Sequence, residues 1–311
     1  MKGERSPKEI AAPQTITFDA IMPAAMAVRA EESGVKRAST DPVTLLVLSL
    51  VAGAFISFGA IFATTVSAGT AAVTSADGNP AFSAGLPYGI GRLLIGIVFS
   101  AGLIMVIIGG AELFTGNNII VMAWASGKVK TRALLLNWVL SFTGNFAGAI
   151  LTAALMFYTT QYTFGGGAVG LVALNTANAK ASLSFVPALT LGIMCNALVC
   201  LAVWMCFSAR TNIDRVVTAI PPIAAFAAAG FEHCIANVYF IPMGLFIKDG
   251  APGSFWKAIG KTAADFPDLT WSNFICNLVP VTAGNILGGS LMVAAAYWFV
   301  YLRKRTDEPR P

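Results

Sequence analysis

Gly230-Phe231-Glu232-His233-Cys234-Ile235-Ala236-Asn237 is the stretch whose reading decides the fold. It holds the only histidine of the 311 residues, beside a glutamate. Apolar sequence long enough to sit inside a bilayer flanks it on both sides. Ionisable side chains at that depth are costly and usually mark a path or a site. A partial copy lies earlier in the chain, Gly110-Ala111-Glu112-Leu113-Phe114-Thr115-Gly116-Asn117. Gly, Glu and Asn recur at equivalent places, and His233 corresponds to Leu113. Two related breaks in two long apolar segments point to a binding site or pore between repeats.

Outward from these breaks the chain is 56% hydrophobic and 11% charged. Soluble domains carry about 25% charged residues, so the composition is that of a polytopic membrane protein. The net charge of +5 gives no nucleic-acid signal, because the basic residues sit at segment ends. The five cysteines, Cys195, Cys200, Cys206, Cys234 and Cys276, lie in or beside apolar segments. That suits small buried side chains, and neither a disulfide framework, a metal site nor a cofactor is expected. The stretch 1–42 is mixed and polar, so no cleavable leader is expected.

Six apolar segments, about 43–63, 89–124, 133–158, 183–208, 216–247 and 272–302, are each long enough for a span of about 20 residues. The second and fifth are too long for one straight span. Gly109-Gly110 with Gly116 predicts a break near 109–117, and Pro221-Pro222 with Gly230 one near 222–230. Such backbone is tolerated at membrane depth only where protein or a water-lined cavity satisfies it. With the amino terminus inside, the inner segments carry 15 Lys and Arg against 4 in the outer loops, so both termini are expected to be cytoplasmic.

The repeat continues beyond the breaks. Asn137, Gly144-Asn145 and Gly148 are matched, in the same order and at the same spacing, by Asn277, Gly284-Asn285 and Gly288. Three spans per unit give the halves opposite topology, and the glycines form small faces for close helix contact. The expectation is an all-α integral membrane protein of six transmembrane helices. They form an inverted 3+3 repeat with helices two and five interrupted, an aquaporin-like channel fold. Three parts follow: a cytoplasmic segment 1–42, a channel domain 43–302 and a tail 303–311. Within the first, residues 18–35 space Phe18, Ile21, Met22, Met26 and Val28 as a short amphipathic helix at the membrane surface. Asn79-Pro80-Ala81 matches the short signature of water channels, but those need two copies. Here the single copy lies in Asp77-Gly78-Asn79-Pro80, ordinary turn chemistry.

FDAIMPAAMA (18–27), AELFTGN (111–117), NALVCLAVWM (196–205), GFEHCIANVYFIPMG (230–244) and PVTAGNILGG (280–289) resemble the formate/nitrite transporters, bacterial pentameric anion channels. The match is nearest the formate-channel branch. That branch usually reads Asp-Leu-Phe-Thr-Ser at the first break, where this chain has Glu112-Leu113-Phe114-Thr115-Gly116-Asn117, nearer the nitrite branch. The outer loop 64–88 is also longer than usual. The resemblance implies a homopentamer in the bacterial inner membrane, with a pore in each protomer and a small anion as partner. It implies Thr115 on a mobile loop facing His233. Leu103, Leu113 and Val199 would form a cytoplasmic constriction, and Phe99 and Phe226 a periplasmic one. Asn196 and Asn285 would be pore-side groups, and Lys180 would stand at the periplasmic vestibule.

The chemistry agrees with such a task. A bare anion at the bilayer centre is costly, and a fixed cation would hold it too well to release it. An imidazole, unperturbed near pKa 6.5, gains and loses charge with each passage. Amide groups at the half-helix start after Gly230 are further anion donors. The plainer reading of His233 is a neutral core histidine bonded to Glu232 or a backbone carbonyl. Lys180, in a polar stretch from Asn175, reads equally as a solvated lysine. Glu232 and Glu112 would repel anions from a pore, so both are read as supporting groups that pair with loop amides or subunit-interface groups. Formate passage, with proton coupling through His233, leads; nitrite or hydrosulfide passage is the alternative. A membrane enzyme using Glu232 and His233 as acid and base lacks a second polar cluster, and a structural scaffold leaves two broken segments unexplained.

Overall fold

The computed structural model describes residues 19–68, 73–74, 80–82 and 87–303. Phe18, the first residue of the expected amphipathic stretch, and Asn79 of the water-channel-like triplet lie outside the described residues. Among the described residues the structure is helical apart from an antiparallel ribbon of Val73–Thr74 (β1) with Pro80–Phe82 (β2).

The amino-terminal helix, α1, runs Pro23–Ala38 rather than 18–35. Pro23 stands in its first turn, where a missing N–H costs nothing, and Lys36 and Arg37 in the last turn suit the dipole. Met26, Ala27, Ala30, Glu31 and Gly34 are buried on one face. That face packs on the chain just after the first break instead of lying open at a membrane surface. Met22 and Val28, expected on the apolar side, are exposed.

Among the described residues, five helices are long and apolar enough to cross a membrane: α2 (Pro42–Ala68), α3 (Tyr88–Gly109), α6 (Thr131–Tyr158), α8 (Phe185–Cys206) and the continuous run Trp271–Tyr301. That last run is α12 (Trp271–Leu287), a π-helical stretch Gly288–Ala295, and α13 (Ala296–Tyr301). A bent pair, α9 (Asn212–Ala229) and α10 (Cys234–Gly250), completes six at an angle of 49°. Segment two breaks where its glycines predict. After α3 the chain turns at Gly110, with φ 70°, and resumes as α4 (Phe114–Asn117), a 3₁₀ turn (Asn118–Ile120) and α5 (Val121–Ala125).

Segment five breaks later than predicted. Pro221 and Pro222 lie inside α9, and the interruption is Gly230–His233, opened by Gly230 with φ 80°. A proline ring keeps a helical φ and removes one donor. Here the lost bonds fall within α9, well before its end, and the helix continues. The expected polar loop 159–182 is largely a helix, α7 (Ala168–Ala181), buried along Leu171, Leu174 and Ala177. Beyond α10, α11 spans Gly253–Ile259.

The two halves are built alike. α6 crosses α2 with Gly148 so close that a Cβ there would lie 2.0 Å from the Leu50 carbonyl oxygen. The run Trp271–Tyr301 meets α8 the same way where its π-helical stretch begins, a Cβ on Gly288 falling 2.1 Å from the Ile193 oxygen. Only glycine permits such backbone approach. Leu50 and Ile193 are therefore equivalent positions, and the repeat visible in the third spans extends to the first.

Candidate functional site

Each break leaves backbone groups without helical partners, and each is braced by one asparagine from the third span of its repeat. Asn145 Oδ1 accepts from Phe114 N at 2.8 Å, and its Nδ2 donates to the Glu112 and Ser49 carbonyls at 2.9 and 2.6 Å. Asn285 Oδ1 accepts from Cys234 N at 2.9 Å, and its Nδ2 donates to the Glu232 and Gly192 carbonyls at 2.9 and 2.8 Å. Both asparagines are fully buried. A side chain with two donors and an acceptor is the smallest group that satisfies irregular backbone in this way.

A second layer repeats as closely. Asn117 Nδ2 donates to Glu112 Oε2 at 2.8 Å and to Asn137 Oδ1 at 3.0 Å, and Asn137 Nδ2 donates to the Arg37 carbonyl. Asn237 Nδ2 donates to Glu232 Oε2 at 2.6 Å and to Asn277 Oδ1 at 2.8 Å, and Asn277 Nδ2 donates to the Lys180 carbonyl. Arg37 stands 3.6 Å from Glu112 and donates to Asn117 Oδ1. Lys180 Nζ lies 2.7 Å from Glu232 Oε1. Arg37 on α1 and Lys180 on α7 are thus equivalent, and their offset along the chain is the one that relates Leu50 to Ile193. Each repeat contains four helical pieces: a short cation-bearing helix and three spans.

His233 is the N-cap of α10. Its Nδ1 accepts from Ala236 N at 3.1 Å, so the neutral ring carries its proton on Nε2. That nitrogen donates to Thr115 Oγ1 at 3.0 Å, joining the two breaks. Thr115 is fully buried, and its carbonyl accepts from Asn196 Nδ2 and Cys200 Sγ, each at 3.3 Å.

A cavity of about 350 Å³ is lined by His233 of this pair together with Phe99 and Phe226. The two phenylalanines meet edge to face, with centroids 5.5 Å apart, and Phe226 lies 6.0 Å from the imidazole. Arg92, Lys180 and Glu232 supply its charged lining. Leu103, Leu113 and Val199 are buried and lie outside this cavity.

Several of these contacts differ from expectation or add to it. Asn196 and Asn285, expected to be pore-side, are both fully buried. Asn285 braces backbone on both sides of its amide, whereas Asn196 donates from Nδ2 to the Thr115 carbonyl and to the Asn285 carbonyl, the latter at 2.7 Å, and its Oδ1 has no hydrogen-bond partner among the described residues. Lys180 is neither loop-borne nor freely solvated, its side chain being 16% exposed and paired with Glu232. The start of α10 is not an open set of amides, because Cys234 N, Ala236 N and Asn237 N are engaged by Asn285, His233 Nδ1 and the His233 carbonyl. His233 is bonded to Thr115 rather than Glu232. Sequence reasoning placed neither Arg37 nor Arg92 at the site. The offset that Arg37 and Lys180 share with Leu50 and Ile193 of the first spans was the signal for the first.

The sequence profile described as formate/nitrite transporter matches residues 24–299. The chain is 43% identical over 288 residues to the formate channel FocA of Escherichia coli K12, covering 92% of this chain and 96% of that one. It is 36% identical to a probable formate transporter of Methanothermobacter thermautotrophicus, covering 84% and 89%. Among solved structures it is similar to a pentameric formate channel with formate bound, with a TM-score of 0.76 and 42% identity over 84% of this chain and 98% of that chain. With these similarities and the repeated, braced breaks, the chain belongs to the formate/nitrite transporter family.

Proposed function

We propose that this chain is a formate channel that works as a homopentamer in the bacterial inner membrane, with both termini in the cytoplasm. The observation that carries the reading is the Thr115–His233 hydrogen bond, which joins the two breaks where His233 lines a cavity with charged walls. Formate is favoured over nitrite because the similar proteins named above are formate channels and transporters, and the pentamer follows the solved relative. The excess of Lys and Arg in the inner segments supports a cavity mouth on the periplasmic side.

In this reading the anion reaches His233 between Phe99 and Phe226. A second proton on the ring occupies Nδ1 and releases the Ala236 amide, so a charged ring and a free N–H become available together. The imidazolium passes a proton to formate, leaving a neutral ring and formic acid. The neutral acid crosses the Leu103, Leu113 and Val199 constriction far more cheaply than an ion. Glu232 is engaged by Lys180 and Asn237 and shares no hydrogen bond with His233 among the described residues, which supports transport over acid–base catalysis. The test is uptake of labelled formate, nitrite and hydrosulfide into liposomes, with and without a proton gradient. Formate is expected to enter fastest and to respond to the gradient; absence of formate uptake sinks the proposal.

A further inference from the structure

Arg92 has no place in the pathway described so far, yet it lines the same cavity as His233. It rises from the first turns of α3 and reaches the end of α9. Its Nε donates to the Ala228 carbonyl at 2.7 Å, and its Nη2 to the Ala227 carbonyl at 2.6 Å. These are among the last carbonyls of a half-helix that stops at Gly230, so they lie at its negative dipole end. The Ala227 carbonyl also accepts from Gly230 N at 3.3 Å, but without Arg92 this negative end would have no cation to offset it beside the cavity that His233 lines. Arg92 covers these carbonyls with a permanent charge. It also bounds the turn: a Cβ on Gly230 would lie 3.1 Å from Nη2.

The other cavity charges do not supply this. Lys180 and Glu232 are paired at 2.7 Å and cancel. Arg92 makes no ion pair among the described residues, so the lining keeps one net positive charge. The repeat provides an internal contrast. In the register that relates the two breaks, Arg92 corresponds to Asn212, and Ala227 and Ala228 to Ile107 and Ile108. Asn212 does stand at the equivalent place, beside Ile108 and Gly109. It is neutral and bonds neither carbonyl among the described residues. The two half-helix ends are therefore electrostatically unlike.

We infer that Arg92 is a positioning and anion-attracting residue that makes the His233 side of the channel the higher-affinity face for a small anion. The inference rests on the channel reading above. Its test is formate flux from each face of vesicles of known orientation, over a range of formate concentration and ionic strength. Arg92→Gln keeps hydrogen-bond donors and loses the charge. Half-saturation from the His233 side should rise about fivefold or more and lose its salt dependence, with the opposite face unchanged. Arg92→Lys should restore the salt dependence. Asn212→Arg, the converse change, should lower half-saturation at the opposite face. Wild-type half-saturation and salt dependence in Arg92→Gln would overturn the inference, as would a Lys variant no better than Gln. If Arg92→Gln fails to assemble, Asn212→Arg decides, and an unaltered opposite face overturns it. A wild type without formate flux would instead overturn the channel reading.

Discussion

The two breaks, Gly110–Asn117 and Gly230–Asn237, share a skeleton and differ in what hangs on it. Both have a left-handed glycine, an asparagine brace from the third span, and a Glu–Asn–Asn chain closed by the carbonyl of a cation-bearing residue. They differ at three places. Leu113 stands where His233 stands. Arg37 sits 3.6 Å from its glutamate and Lys180 2.7 Å from its own. Asn212 replaces Arg92 at the half-helix end. The shared parts hold irregular backbone in a dry interior, a demand identical on both sides. In the proposed reading the unshared parts are those that meet the anion. Repeated groups are therefore scaffold, and function is found by subtracting one half from the other.

The largest expected effect tests the shared part. Asn285→Leu removes the partner of the Cys234 amide and of the Glu232 and Gly192 carbonyls at nearly constant volume. A buried unpaired group costs about 1–3 kcal/mol, so the loss of three partners should total roughly 3–9 kcal/mol. Asn145→Leu should cost about the same. Thermal unfolding of the detergent-solubilised protein measures both. A variant indistinguishable from wild type in either half breaks the equivalence.

Next comes the unshared residue. His233→Asn retains an N-cap side chain for α10 but cannot titrate, so folding should survive. Formate import should rise as external pH falls from 8 to 5 in wild type, the range about the unperturbed imidazole pKa of roughly 6.5. The variant should lose most of that rise while anion export persists. Import with undiminished pH dependence would return His233 to the plain class of capping residues. Thr115→Ala is a smaller change, removing one neutral hydrogen bond of about 1 kcal/mol. It should slow both directions about fivefold to tenfold, with Thr115→Ser close to wild type. Equal defects in Ala and Ser would mean the methyl group, not the hydroxyl, positions the ring.

Much of this was legible in the sequence because glycine and asparagine each have one physical use at these points. Gly110 and Gly230 sit where φ is positive, and the pairing of Asn145 with Asn285 and of Asn137 with Asn277 marked the repeat, though not the bracing of backbone that these side chains perform. The proline pair misled, since Pro221 and Pro222 resemble a break and yet continue α9. α7 escaped because its Ala, Gly and Asn residues show little periodicity and its burial comes from α10. Arg92 escaped because its partners are backbone carbonyls 135 and 136 residues away, which no side-chain pattern encodes.

The smallest expected effect concerns α1, which sits on the first break as α7 sits by the second. Its buried face, Met26, Ala27, Ala30 and Gly34, lies on the 3₁₀ turn and α5 that follow Thr115. Gly34 packs closest: a Cβ there would lie 2.9 Å from Ala123 Cβ and 3.4 Å from Ile120 Cα. Residues 18–35 at the cytoplasmic mouth would limit passage by holding that segment. Deletion of residues 1–35 removes this face but leaves Arg37, Glu112 and Asn137 in place, so assembly should be retained. Loosening worth about 0.5–1 kcal/mol corresponds to a two- to fivefold rise in flux. Gly34→Leu pries the same contact apart without shortening the chain and should move flux in the same direction. α7 has no such freedom, being tied at both ends to spans, so removing one repeat's short helix is tolerated where removing the other's is not. Unchanged flux at every pH in both variants would make α1 a passive cover and leave the contrast between the halves to His233 and Arg92 alone.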